Sequence, residues 1–294
     1  MKLGVVTPVV TRLPGARATW EETAGIEEIT RVAAEAERLG YDHVTCSEHV
    51  GIPIDVAEIR GATYWDPLAT LAYLAARTST IRLATHVLVL GYHHPLEIAK
   101  RYGTLDRISD GRLILGVGVG SLQEEFELLG APFDDRGERA DDAIRALRAA
   151  WARREPEYAG KFYAFEGLIV EPCAVNSHTP IRVGGRTARS LRRAVELADG
   201  WVPFGIARSQ LAEMIARARE TESWAERAAR KDAPPFEFVL QNEHPFDAVA
   251  EPERVREAAS RLRDAGATML NIRFVHHSVE HYVEQLAAMQ ELML

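Results

Sequence analysis

Glu48-His49, His86-Val87, the run Gly116 to Ser121 and the run Gly184 to Thr187 are the places in this chain whose residue types and spacing could do chemistry. A histidine titrates near neutrality, so His49 suits proton transfer or orientation of a reacting group, with Glu48 beside it as a second candidate. The alternative is a His–Glu pair that only fixes a loop. Gly118, Val119 and Gly120 form a backbone that a planar ring or a sugar-like chain can approach closely, because glycine removes the side chain. Their spacing is not that of the dinucleotide G-x-G-x-x-G fingerprint. For Gly116 and Gly118, close packing is the competing explanation. Gly184, Gly185, Arg186 and Thr187 end a short apolar run and open a helical pattern. Amides at a helix N-terminus, with an arginine beside them, attract an anion. A tight turn with a surface arginine is the plainer reading.

These residues need elements to hold them. Apolar runs at Leu3–Thr7, His43–Cys46, Ile81–Leu90, Leu113–Val119, Ile181–Val183, Gly200–Pro203, Glu237–Leu240 and Leu270–Phe274 read as strands covered on both faces. Helical patterns alternate with them, near Glu22–Leu39, Pro67–Arg77, Pro95–Ile108, Arg136–Arg153, Ala188–Ala198, Ser209–Arg230, Glu253–Ala265 and Val279–Leu292. Asp66-Pro67 signals a helix start, and Gly40, Gly111 and Gly266 signal helix ends. Eight such repeats predict a single α/β domain over residues 1–294, a (β/α)8 TIM barrel with insertion loops. The candidate residues then gather at the C-terminal ends of the strands, where barrels do chemistry. Loops Gly51–Tyr64 and Ser121–Asp135 open at that end. A third, Glu155–Thr179, carries two short extended runs around Gly167 that predict a hairpin outside the wall.

Composition narrows the function. The 294 residues carry 35 Lys+Arg against 43 Asp+Glu, a net charge of −8, which disfavours a nucleic-acid partner. No apolar segment is long enough to span a membrane, and the N-terminal run, interrupted by Pro8, reads as a strand rather than a leader. Two cysteines make no disulfide framework, which fits a cytoplasmic location. Cys46 reads as a core residue. No lysine ends a strand, which argues against Schiff-base chemistry. The histidines, including the pairs His93-His94 and His276-His277, show no metal-binding spacing, so no metal is expected. Glu124, Glu125 and Glu127 read mostly as a solvated helix start, with one of them able to meet a bound molecule, Trp201 as barrel packing, and Trp65 as a pocket-lining side chain.

Three segments carry a resemblance: LDRISDGRLILGVGVG at Leu105–Gly120, PIRVGGRTARSLRRAVELADGWVP at Pro180–Pro203, and SEHV at Ser47–Val50. Together they resemble the luciferase-like monooxygenase family of flavin and deazaflavin enzymes. The resemblance implies a cofactor ring across the barrel mouth, with His49 against it. It implies a bulge at His86-Val87 with a non-proline cis peptide under the ring, and a cofactor phosphate at Gly184–Thr187. Ser121 stands where a sugar-phosphate-oxidising branch has a glutamate, which argues against that substrate class. The implied function is a coenzyme F420-dependent oxidoreductase passing a hydride to or from a small organic substrate. FMN in the same seat, with monooxygenase chemistry, is the alternative. A metal-dependent barrel hydrolase and a non-enzymatic flavin-binding barrel are readings of other classes. A homodimer is expected from the family and from the Pro67–Arg77 helix, apolar on more than one face.

Overall fold

The computed structural model describes residues 1–14, 17–231 and 233–293. Its eight long strands are β1 (Lys2–Val5), β2 (His43–Cys46), β3 (Arg82–Thr85), β4 (Leu113–Gly118), β5 (Ile181–Gly184), β6 (Gly200–Val202), β7 (Glu237–Gln241) and β8 (Met269–Ile272). Each pairs in parallel with the next. β8 also pairs with β1, and β4 with β5, so the sheet closes into a barrel. The main helices are α1 (Ile26–Arg38), α2 (Pro67–Arg77), α3 (Pro95–Ile108), α4 (Arg136–Ala150), α5 (Ala188–Leu197), α6 (Arg208–Arg219), α7 (Pro252–Asp264) and α8 (Val279–Met293). This is the expected TIM barrel, with all eight strands where the apolar runs placed them. No helix among the described residues is long and apolar enough to cross a membrane.

Local chemistry explains the agreements and the departures. Asp66 caps α2 as read, accepting from the Ala69 amide at 2.7 Å, with Pro67 in the first turn. The helix expected over Ser209–Arg230 is two helices. Thr221 accepts the Trp224 amide and thereby starts a new helix, Glu222–Ala229. The first helix starts at Ile26 rather than Glu22, because Thr19–Glu22 forms a separate 3-10 turn. The third insertion does hold a hairpin, Tyr158–Ala159 against Ala164–Phe165, but its turn lies at residues 160–163 and Gly167 follows it. Gly51–Tyr64 is not a bare loop: Thr63–Tyr64 pairs antiparallel with Thr11–Arg12.

One departure from regular pairing matters for the site. Leu83 pairs with Leu113, 30 residues on, whereas Leu88 pairs with Val117, 29 residues on. The chain after β3 therefore carries one residue more than β4, which is a bulge. It falls at His86-Val87, whose peptide bond is cis.

At the N-terminal end the barrel interior is filled. His43 and Arg182 are almost wholly buried there. Arg182 donates to Glu237 at 2.7 Å and to the Met269 sulfur at 3.3 Å. A Cβ on Gly4 would sit 2.2 Å from the His43 ring, so that layer has room for nothing larger. Trp201 is fully buried as expected, its indole N–H donating to Ser190 Oγ. Cys46 is a buried core residue, with burial pushing its thiol up to about 12.

Candidate active site at the barrel mouth

The open space lies at the other end. A cavity of about 960 Å³ sits among the C-terminal ends of the strands, lined by Glu48, His49, His86, Val87, Gly118 to Ser121 and Gly184 to Thr187. Glu48 and His49 follow β2, His86 and Val87 follow β3, and Gly118 to Ser121 follow β4. Gly184 to Thr187 run from β5 into α5.

The glycines are there because of the bulge. A Cβ on Gly116 would meet the Thr85 carbonyl oxygen at 2.0 Å. One on Gly118 would meet Val87 Cγ2 at 2.7 Å, and one on Gly184 would meet Val87 Cγ1 at 2.8 Å. Close packing, offered above as the competing reading for Gly116 and Gly118, is therefore real, and its partner is the bulge. Gly116 lies outside the cavity lining, whereas Gly118 serves both purposes. Gly120 has a positive φ of 79°, and a Cβ there would enter the Phe126 ring at 2.4 Å.

His86 sits in the bulge as a neutral imidazole. Burial, then the charges of Arg182 and Arg273, lower its pKa to about 4. Its Nε2 accepts from the Gln241 amide at 2.5 Å, so Nδ1 carries the hydrogen. Its carbonyl accepts from Ser47 Oγ at 2.8 Å.

Glu48, expected beside His49 as a catalytic candidate, lines the cavity with both oxygens engaged. One accepts the Val89 amide at 2.6 Å and the other His93 Nε2 at 2.7 Å. Burial opposes charge on His93, but the Glu48 hydrogen bond and charge outweigh it and raise the His93 pKa. The pair ties the end of β2 to the chain beyond the bulge.

His49 has a different partner, which sequence reasoning missed. Its Nδ1 lies 2.7 Å from Glu125, the residue read above as part of a solvated helix start. Glu125 is instead buried. It also accepts from Tyr92 Oη at 2.6 Å and from the amides of Val50 and Gly51. Burial alone would raise its pKa; these four donors, His49 foremost, bring it below the ordinary carboxylate value. An ionised carboxylate only accepts, so His49 Nδ1 bears a hydrogen and Nε2 is the nitrogen left for a bound molecule. The His49 ring also packs edge-on against Tyr64, at 4.5 Å between centroids. Tyr64 lines the cavity, whereas Trp65, expected to do so, packs on the core instead. Alternation along the Thr63–Tyr64 strand sends the two neighbours opposite ways.

At the β5 end, Thr187 caps α5. It accepts the Ser190 amide, and Ser190 Oγ accepts the Thr187 amide, each at 3.2 Å. The next amides of the first turn have no intrahelical partner. Arg186 and Arg189 are exposed, line the cavity, and form no ion pair among the described residues. This corner has the donors and charge for a phosphate. Ser121, across the mouth, is bonded to Arg60 at 3.3 Å. Among the described residues no three His, Cys, Asp or Glu side chains are grouped to hold a metal.

The family model for luciferase-like monooxygenases matches residues 1–293. The chain belongs to that family. As a luciferase-like protein it is 29% identical over 255 residues to an uncharacterised protein of Mycobacterium tuberculosis, covering 83% of each chain. It is also 29% identical to the F420-dependent glucose-6-phosphate dehydrogenase of Microbacterium testaceum, over 62% of this chain and 53% of that one. Among solved structures, the monooxygenase RslO1 from Streptomyces bottropensis superposes with a TM-score of 0.80 at 22% identity, covering 99% and 98% of the two chains. An F420-dependent secondary alcohol dehydrogenase superposes with a TM-score of 0.77 at 14% identity, covering 99% and 97%. The luciferase-like fold is thus shared across deazaflavin-dependent and monooxygenase proteins. Membership supports an oxidoreductase with a flavin or deazaflavin cofactor.

Proposed function

We propose that the protein is a coenzyme F420-dependent oxidoreductase that exchanges a hydride with a small organic substrate. The observation that carries this reading is the His49–Glu125 pair, a tautomer-fixed imidazole on the wall of a cavity with an anion seat at its β5 end. The residues fit the cofactor class: a side-chain-free backbone at Gly118 and Gly120, and two unpaired arginines at the start of α5. When bound, the deazaflavin supplies the carbon that accepts or gives the hydride. The chain's own residues do the rest. Gly184 to Thr187 and Arg189 hold the phosphate, and Val87 and Gly118 support the ring. His49 Nε2 takes or returns the substrate proton. Relatives named as F420-dependent, at 29% identity, support the choice of deazaflavin over FMN.

Titrating the purified protein with F420 and with FMN, followed by fluorescence, tests the assignment; tight binding of FMN alone would overturn it. The seat is tested at Arg186. Gly185→Asp is a poor probe, because Gly185 has φ of 142° and a Cβ there would lie 2.7 Å from that of Ser190, so the cap itself would be disturbed. Arg186→Glu reverses an exposed charge without touching the cap. It should weaken F420 binding more than tenfold, about 1.4 kcal/mol, while the deazaflavin ring without its phosphate tail binds both proteins alike. Equal F420 affinity would move the phosphate elsewhere.

We also propose that the protein works as a homodimer in the cytoplasm. Leu68, Ala72 and Tyr73 on α2 are only partly buried within one copy, consistent with packing against a second. Light scattering at micromolar concentration should give the dimer mass, and a monomer mass would count against it.

A further inference from the structure

We propose that the substrate carries a carboxylate, and that Arg273 is its seat. This rests on the cavity being the active site proposed above and names the substrate class that the site takes. Arg273 follows β8 directly. Alternation along that strand puts Met269, Asn271 and Arg273 inside the barrel; Met269 meets Arg182 there, and Arg273 lines the cavity.

The backbone of Arg273 is clamped. Its N–H donates to Asn242 Oδ1 at 3.0 Å, and its carbonyl accepts from Asn242 Nδ2 at 2.8 Å and from the Phe246 amide at 2.8 Å. Its guanidinium is not. Nε is buried without a partner, and the one bond from Nη2 is a 3.5 Å contact to the Asn242 carbonyl. No carboxylate among the described residues pairs with it. The three arginines buried outright differ: Arg182 has Glu237, Arg193 has Asp141 and Arg227 has Asp199. Burial alone lowers the Arg273 pKa. Below it, Asn271 is fully buried with both amide atoms unpartnered.

A partly buried guanidinium without an anion is costly, and its outer Nη1–Nη2 end, where only Nη2 makes a contact, matches the two oxygens of a carboxylate. The clamped backbone fixes where that side chain begins. A phosphate, with its greater charge, would call for a second cation or a helix N-terminus beside Arg273. The neighbouring His276 is neutral, lowered to about 4 by burial, with Nδ1 accepting the Trp20 indole N–H at 2.9 Å. α8 starts only at Val279. Arg273 also lies three strands round the barrel from the β5 seat, which leaves it for a second molecule.

The test is calorimetric titration of acetate and benzoate, each beside its neutral amide, into the protein with and without F420. The carboxylates should bind at least tenfold more tightly than acetamide and benzamide. Arg273→Met should abolish that preference with F420 affinity unchanged, and Arg273→Lys should restore part of it, which separates the effect from misfolding. Equal binding of acids and amides, or an unaltered preference in Arg273→Met, overturns the proposal. So does a loss of F420 affinity alone, which would give Arg273 to the cofactor. Arg273-dependent carboxylate binding in a protein that binds no F420 would keep this inference and remove the cofactor reading.

Discussion

Replacing His49 with alanine should lower turnover by roughly 10²–10⁴-fold, the range of a lost general acid or base, while F420 affinity stays nearly intact. The two effects separate because the phosphate corner at α5 and the bulge at His86-Val87 are built without His49. His49→Asn is the sharper variant. It keeps a hydrogen-bond donor but exchanges no proton near neutral pH. Stopped-flow measurement of a single hydride transfer would show whether the loss is in the chemical step. Near-normal single turnovers in both variants would give the proton to another group or to solvent. A His49 that only fixed its loop would cost thermal stability and leave the pH dependence of the rate unchanged.

Glu125→Gln is expected to be the second most damaging change. One carboxylate accepts from His49, Tyr92, Val50 and Gly51. A carboxamide puts an N–H₂ where one of the two accepting oxygens stood, so donors face a donor. Stability should fall by about 1–3 kcal/mol, the cost of buried donors left without partners. Turnover should fall by at least about tenfold, because a neutral carboxamide holds the Nδ1–H form of His49 less strongly and favours the opposite tautomer where its N–H₂ faces the ring. The acid limb gives an independent check. Glu125 sits below the ordinary carboxylate value of about 4.3. Its stabilising contribution is therefore complete above that pH and is lost as pH falls through its folded value. Thermal melting from neutral to acidic pH should show wild type converging on the variant below about pH 4. A constant gap across that range would mean that Glu125 does not hold the loop as a carboxylate.

Much of this site was legible in the sequence, and what was missed has a physical pattern. Strands rich in Val, Ile and Leu and glycine-marked ends read the barrel, and the barrel sends the residues after each strand to one mouth. Glu125 was lost because its neighbours Glu124 and Glu127 are exposed, and three acids within four residues look like a solvated turn. The available signal was helical period: Leu122, Glu125, Phe126 and Leu129 share one face. Leu122 and Phe126 are buried with Glu125, so an acid on that face calls for partners. Arg273 was equally readable, as a charged residue in step with Met269 and Asn271 at the end of a mostly apolar strand. Glu48 shows the limit. Adjacency to His49 suggested a joint role, but consecutive residues diverge, and only coordinates reveal that its oxygens turn to Val89 and His93.

Gly118 and Gly184 come from two different strands, yet the size of each is set by the same side chain, Val87 in the bulge. In evolutionary terms they are a single character. A lineage cannot acquire alanine at 118 or 184 by one step without pushing a methyl group into Val87. Trimming Val87 first opens the route, so the order of substitutions decides which are accessible. Drift at these positions is therefore coupled across some hundred residues of sequence, and the floor of the cavity at the bulge changes only as a unit.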